Sequence, residues 1–100
     1  MAHAQWWVYI IKASDSSLYT GITTDVERRW GQHCAGTGAK FFRGRRPQSL
    51  VYVEASLDRS SASKREAEIK KLPRADKLLL LQSEANSAKN YSLSNTILPR

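Results

Sequence analysis

The stretch from Trp7 to Ile22 limits what this chain can become more than any other part of it. Two runs dense in β-branched and aromatic residues, Trp7-Val8-Tyr9-Ile10-Ile11-Lys12 and Leu18-Tyr19-Thr20-Gly21-Ile22, flank the small polar segment Ala13-Ser14-Asp15-Ser16-Ser17. That composition predicts two strands joined by a short loop, a β-hairpin. Side chains alternate faces along a strand, so Trp7, Tyr9 and Ile11 share one face of the first strand, and Tyr19 and Gly21 share one face of the second. If the two faces coincide, two phenols stand together beside a glycine that admits close approach to the backbone. Paired tyrosines on a hairpin also serve as packing residues with a polar tip, and the hairpin by itself leaves both readings open.

Downstream, Thr24-Asp25-Val26-Glu27 reads as a capping box that starts a helix, and Gly36 and Gly38 stop it. Within it Val26, Trp30 and Cys34 recur every four residues as the stripe expected to be buried. Asp25, Arg29 and His33 form the neighbouring stripe, which sets Arg29 and His33 side by side at the border between core and solvent. Cys34 is the single cysteine; alone it can form neither an internal disulfide nor a zinc site, and it reads as a small buried apolar residue. Ser49 to Ala55 reads as a third strand. Asp58 to Ser61 offer N-caps for a second helix running through Leu72, with Ala62, Ile69 and Leu72 inward. Glu66 falls on that inward stripe, where an ionised carboxylate is costly unless it is paired, hydrogen-bonded or bound to a metal. An ion pair with an arginine and a metal-ligand role both answer that requirement. Pro73 suits the first position of a third helix, which turns Ala75, Leu78, Leu79 and Gln82 to one side. The pattern predicts an α/β (α+β) fold class over residues 5–84, with a three-stranded sheet, hairpin plus third strand, flanked by helices. The Ser- and Asn-rich residues 85–100 are expected to form a flexible C-terminal tail.

A chain of 100 residues suits one domain with a modest core. No apolar run approaches the roughly 18 residues of a membrane span, and the N-terminus lacks a basic region followed by an apolar one. A cytoplasmic protein with no membrane partner is therefore expected. The net charge is +7, and its placement tells more than its size. Residues 1–39 carry three basic and three acidic side chains, whereas residues 40–79 carry eleven basic against five acidic. The excess begins with Lys40, Arg43, Arg45 and Arg46, among which stand Phe41 and Phe42. Localised positive charge suits a polyanion, and aromatics among arginines suit stacking on bases and pairing with phosphates. The plainer alternative is a solvated charge run anchored to the core by its phenylalanines. No phosphate-cradling glycine loop or clustered zinc motif is present, and no small-molecule cofactor is expected.

Taken together, Trp7-Val8-Tyr9, nine intervening residues, Tyr19-Thr20-Gly21, then Arg29 and His33 on the first helix and Glu66 on a later one, resemble the GIY-YIG nuclease superfamily. The likeness is to its small stand-alone bacterial members and runs from about Trp7 to Leu81. It takes in Gly38-Ala39-Lys40, Arg43-Gly-Arg-Arg-Pro47, Leu50-Val-Tyr-Val-Glu54 and Lys64-Arg65-Glu66. Trp7 stands where the family has its first glycine, Val8 where it has isoleucine, and Thr20 in place of the central isoleucine of the second motif. The resemblance implies a small sandwich built on a three-stranded sheet, and hydrolysis of nucleic-acid phosphodiesters, most of all DNA, with one divalent metal, Mg²⁺ or Mn²⁺. It makes Glu66 the metal ligand and Tyr9 a general base or water-orienting phenol assisted by a neighbour such as His33 or the metal. Tyr19 would complete the hydrogen bonding of water or phosphate, and Arg29 would balance phosphate charge. Lys40, Arg43, Arg45 and Arg46 would hold the flanking backbone. Endonuclease and exonuclease action both fit, with structure-specific cutting in DNA repair or recombination as the narrowest form. A different class of function, a nucleic-acid-binding module with weak or absent cutting, fits the same charge pattern. The sequence carries no indication of oligomeric state.

Overall fold

β1 (Trp6–Ala13) is the middle strand of a three-stranded antiparallel sheet, between β2 (Leu18–Thr23) and β3 (Pro47–Ser56). The computed structural model describes residues 4–91 and 93. The expected hairpin is present, and its loop is closed by the Ala13 amide donating to the Ser17 carbonyl (2.8 Å) and the Ser16 amide to the Ala13 carbonyl (2.9 Å). Its register pairs Tyr9 with Gly21 and Ile11 with Tyr19, so the two phenol-bearing faces do coincide.

As the central strand, β1 is covered on both sides, which explains its unbroken apolar run from Val8 to Ile11. On one face Tyr9, Ile11 and Ala13 pack with Leu50 and Val53 beneath Val26 and Trp30 of α1 (Val26–Cys34) and Phe42 of a 3-10 turn (Lys40–Phe42). On the other, Val8, Ile10 and Tyr52 pack with Ala62 and Ile69 of α2 (Arg59–Lys71), joined by Leu80 and Leu81 at the end of α3 (Arg74–Leu80). The sheet is thus the middle of a small α+β sandwich.

Three local expectations are corrected by this packing. The N-cap of α1 is Asp25 rather than Thr24: the Asp25 carboxylate accepts from the Arg28 amide at 3.1 Å, placing a negative charge at the positive end of the helix. The buried stripe of α1 is Val26, Trp30 and His33, while Cys34 is exposed. At 3.6 residues per turn a side chain seven positions after Val26 returns to within about 20° of it, whereas the eighth stands about 80° away. Along α3, Leu78 and Leu79 are exposed, and Leu80 and Leu81 reach the core instead. The α1 terminus follows the glycine rule: Gly36 has φ +81°, its amide donates to the His33 carbonyl (3.1 Å), and the Thr37 amide donates to Gln32 (3.0 Å).

Much of the segment expected to be a flexible tail is bound to the outer edge of β3. Asn86 accepts from the Val53 amide (3.1 Å) and donates to the carbonyls of Val51 (2.8 Å) and Leu81 (3.0 Å). The Ser87 amide donates to Val53 and the Leu50 amide to Leu93, each at 2.9 Å. Ala88 is buried, and the Tyr91 ring meets Trp7 edge-on at 6.4 Å. A polar composition argues for disorder only while its backbone partners are unseen; here an edge strand supplies them. Residue 92 and residues 94–100 lie outside the described residues. No helix among the described residues is long and apolar enough to cross a membrane.

Replacing Asn86 by alanine leaves the Val53 amide and two carbonyls without their partner. It should lower unfolding free energy in urea by about 2 kcal/mol and accelerate hydrogen exchange at Val53. An unchanged midpoint with unchanged exchange would show that this side chain does not hold the edge.

Candidate active site

The centre of the phenol-bearing face is a hydrogen bond between Tyr9 Oη and His33 Nε2, 2.7 Å long, with both residues almost completely buried. The other ring nitrogen of His33 settles which group donates. Nδ1 accepts from the Ala39 amide (3.4 Å), a group that can only donate, so the ring hydrogen sits on Nε2 and is given to the Tyr9 oxygen. Burial, and then the charge of Arg29, lower the His33 pKa to about 4, which keeps the imidazole neutral near neutral pH. The Tyr9 phenol is pushed well above its ordinary value by burial first and by Tyr19 second. A hydrogen bond and charge from Arg29 oppose that shift, and the charge of Glu66 adds to it. Tyr9 is therefore a neutral phenol whose oxygen is held by His33 and whose own hydrogen remains for a further acceptor.

Two glycines make room for this pair. Gly21 lies opposite Tyr9 in the register, and a methyl group there would stand 2.5 Å from Tyr9 Oη and 3.1 Å from Tyr19 Cε2. The close approach foreseen at Gly21 is thus made by the phenol itself. At Gly38 a methyl group would overlap His33 Nδ1 and lie 2.9 Å from Cε1. Tyr19 completes the aromatic wall, its ring centroid 6.2 Å from Tyr9, 5.3 Å from His33, 5.2 Å from Phe41 and 5.3 Å from Phe42. Phe42 is buried, so it anchors the basic loop to the core, as the plainer reading had it. Trp7 turns to Tyr91, and no ring contact joins it to Tyr9, Tyr19 or His33 among the described residues.

The charged members come from both sides of the sheet. Arg29 on α1 is half-buried and donates through Nη1 to Gln32 Oε1 (2.8 Å). Glu66 stands on α2, the helix that packs against β1 and β2 from the opposite face, yet its charge is felt at Tyr9. Its Oε2 is 3.0 Å from Lys70 Nζ, which itself lies 6.0 Å from the Tyr19 ring centre. The expected ion pair of Glu66 is thus made with a lysine one turn along its own helix, not with an arginine. Lys70 is the member of this group that the sequence reading missed, although a Glu followed by Lys at i,i+4 was there to find it. Tyr9, Tyr19, Arg29, His33 and Glu66 are brought together, with Lys70 added.

Could this set hold a metal? No group of three or more His, Cys, Asp and Glu side chains converges among the described residues. A hard dication that keeps most of its water needs only one or two carboxylates beside the oxygens of a substrate phosphate. Glu66 offers one, whose Oε2 faces the Lys70 ammonium at 3.0 Å, so a dication there would take the place of Lys70. One carboxylate beside phosphate oxygens suits a hard, largely hydrated dication.

The basic loop borders a groove of about 440 Å³ between the hairpin turn and the end of α1, whose lining includes His33, Phe42, Arg43, Arg45 and Arg46. Arg45 is engaged, 3.2 Å from Asp15 and stacked 4.2 Å over Phe41, while Arg43 and Arg46 are exposed. Lys40 is exposed and stands outside the lining.

Residues 5–78 match the family model described as the GIY-YIG catalytic domain. The chain is 49% identical over 81 residues to the UPF0213 protein NP_0776A of Natronomonas pharaonis, covering 81% of this chain and 95% of the relative. It is 43% identical over 91 residues to the UPF0213 protein YhbQ of Escherichia coli, covering 91% of each. Among solved structures, the solution NMR structure of the UPF0213 protein BH0048 from Bacillus halodurans matches with a TM-score of 0.54 and 41% identity, covering 86% of this chain and 92% of that one.

Because buried His33 resists protonation, the unfolded chain takes up a proton that the folded one refuses between about pH 6.5 and 4. The stability so contributed should be complete above about pH 6.5 and fall by up to about 3 kcal/mol as the pH drops towards 4. Urea unfolding across that range should show a shallower decline for His33→Gln; equal slopes would contradict a neutral buried imidazole. Gly21→Ala should displace the phenol and abolish the Nε2–H resonance that ¹⁵N-resolved NMR detects in the wild type.

Proposed function

This chain belongs to the GIY-YIG catalytic domain family, a family of nucleases, and on that footing we propose that it hydrolyses phosphodiester bonds of nucleic acid, DNA foremost, with one Mg²⁺ or Mn²⁺, in the cytoplasm. The observation that carries the reading is the convergence of Tyr9, Tyr19, Arg29, His33 and Glu66 about a single hydrogen-bonded phenol.

Each side chain has work suited to its surroundings. The Arg29 guanidinium makes no ion pair among the described residues, so its charge is available to phosphate oxygens and to the extra charge they gain in the transition state. His33, fixed by the Ala39 amide, holds the Tyr9 oxygen and thereby aims the phenolic hydrogen. Since burial keeps that hydrogen on the phenol and His33 Nε2 is already protonated, Tyr9 orients water or phosphate rather than taking a proton in the resting protein. An ionised Tyr9 would be supported by the same two donors, His33 and Arg29. Tyr19, half-buried beside it, offers a second hydroxyl to the same space. Glu66 would hold the dication, which polarises the phosphate and stabilises the leaving oxygen when bound. Arg43, Arg45 and Arg46, with Lys40 beyond them, would hold backbone phosphates beside the site.

One observation favours the binding-module reading: Lys70 neutralises the carboxylate on which hydrolysis depends. Both readings expect salt-sensitive binding. The nuclease alone expects product that requires Mg²⁺ or Mn²⁺ and disappears with chelator.

A panel of duplex, single-stranded, flap and junction DNA, with RNA beside it, tests the choice. Glu66→Ala and Tyr9→Phe should each slow cleavage by about 100-fold or more while changing binding little. Preference for branched substrates over plain duplex is the outcome that a repair or recombination role requires. Binding without any metal-dependent product would leave the binding module as the function.

A further inference from the structure

A second groove, of about 250 Å³, lies at the opposite end of β1 from the basic loop, where Trp6, the end of β2 and the outer side of α1 meet. Arg28, Arg29 and Gln32 line it and no acidic residue does. Arg59, at the start of α2, holds its guanidinium 5.8 Å from the centre of the Trp6 ring. None of these three arginines takes part in an ion pair among the described residues, whereas Arg45, Arg65 and Lys70 all do. Exposed Arg28 and Arg59 and half-buried Arg29, placed near a half-buried indole, suit phosphates for the guanidinium groups and a base for the ring.

The placement of this groove ties it to the site. Arg29 lines it and at the same time acts on Tyr9. His33 has the equivalent position on the other side, lining the basic-loop groove while bonding Tyr9. We propose that the Trp6–Arg28–Arg29 groove, with Arg59 beside its Trp6 wall, is a second nucleic-acid site, which takes the backbone on the far side of the reacting phosphate from the basic loop. The proposal rests on the nucleic-acid reading above and adds a footprint that reaches to both sides of Tyr9.

The test uses the full chain carrying Glu66→Ala, so that substrate persists, and a labelled 12-base-pair duplex followed by anisotropy at several salt concentrations. Arg28→Ser with Arg59→Ser should weaken binding about tenfold and reduce the slope of log affinity against log salt by about one to two. Ethylation interference should give two clusters of contacted phosphates, and this pair of substitutions should erase one while Arg43→Ser with Arg46→Ser erases the other. Trp6→Phe should remove a fluorescence change that duplex otherwise causes. All of the substituted arginines are exposed, and thermal melting checks that each variant folds. Unchanged affinity, slope and footprint for the Arg28/Arg59 pair, with the parent binding normally, would overturn this proposal and leave the nuclease reading standing. Failure of the unsubstituted chain to bind any of the nucleic acids would overturn both.

Discussion

The Tyr9–His33 hydrogen bond is the constraint around which the rest of this structure is arranged. It joins the central strand to the helix above it inside a nearly dry core, where an unpaired phenol or imidazole would be costly. Three neighbours make room for it or orient it. Gly21 gives up a side chain so that the phenol can lie over β2, Gly38 does so for the imidazole, and the Ala39 amide selects the tautomer. The residues that carry charge, Arg29 and Glu66, come to this pair from opposite sides of the sheet and pull the ionisation of Tyr9 in opposite directions.

Legibility from sequence followed the range of the interactions. The hairpin pairs residues close in the chain with period-two alternation, and its register came out as Tyr9 opposite Gly21. Third strand, second helix and the Asp58 cap were equally local and equally readable. The errors arose where a rule of thumb met geometry or distance. A four-residue repeat chose Cys34 for the core, while the true helical pitch buries His33, which turns an apparent border residue into half of the central bond. The docked segment after Leu81 escaped because its stability comes from Asn86 and from backbone groups of β3, more than thirty residues away in sequence. In the candidate site, residue identities were readable from the motif, while the tautomer of His33 and the engagement of Lys70 with Glu66 needed coordinates.

The charge pattern gains meaning once ion pairs are subtracted. Part of the positive excess is used internally: Arg65 bridges Glu54 and Glu68, Lys70 meets Glu66 and Arg45 meets Asp15. The remaining arginines are not confined to the basic loop that composition singled out. Arg28 and Arg29 come from the stretch whose charges balance in sequence and Arg59 from well beyond the basic loop, and folding leaves them without ion pairs among the described residues. A count of charges along a chain therefore underrates surfaces assembled from separate segments.

The docked segment beside β3 has a consequence for how copies of this protein can meet. A three-stranded sheet has two margins at which a foreign strand can add, and here Asn86, Ser87 and Leu93 already engage the backbone of one of them. The other margin is β2, which carries Tyr19 and Gly21. Strand-to-strand self-association is thereby steered to the one border where it would crowd the phenols, so that any such assembly and access to the cleft are set in competition.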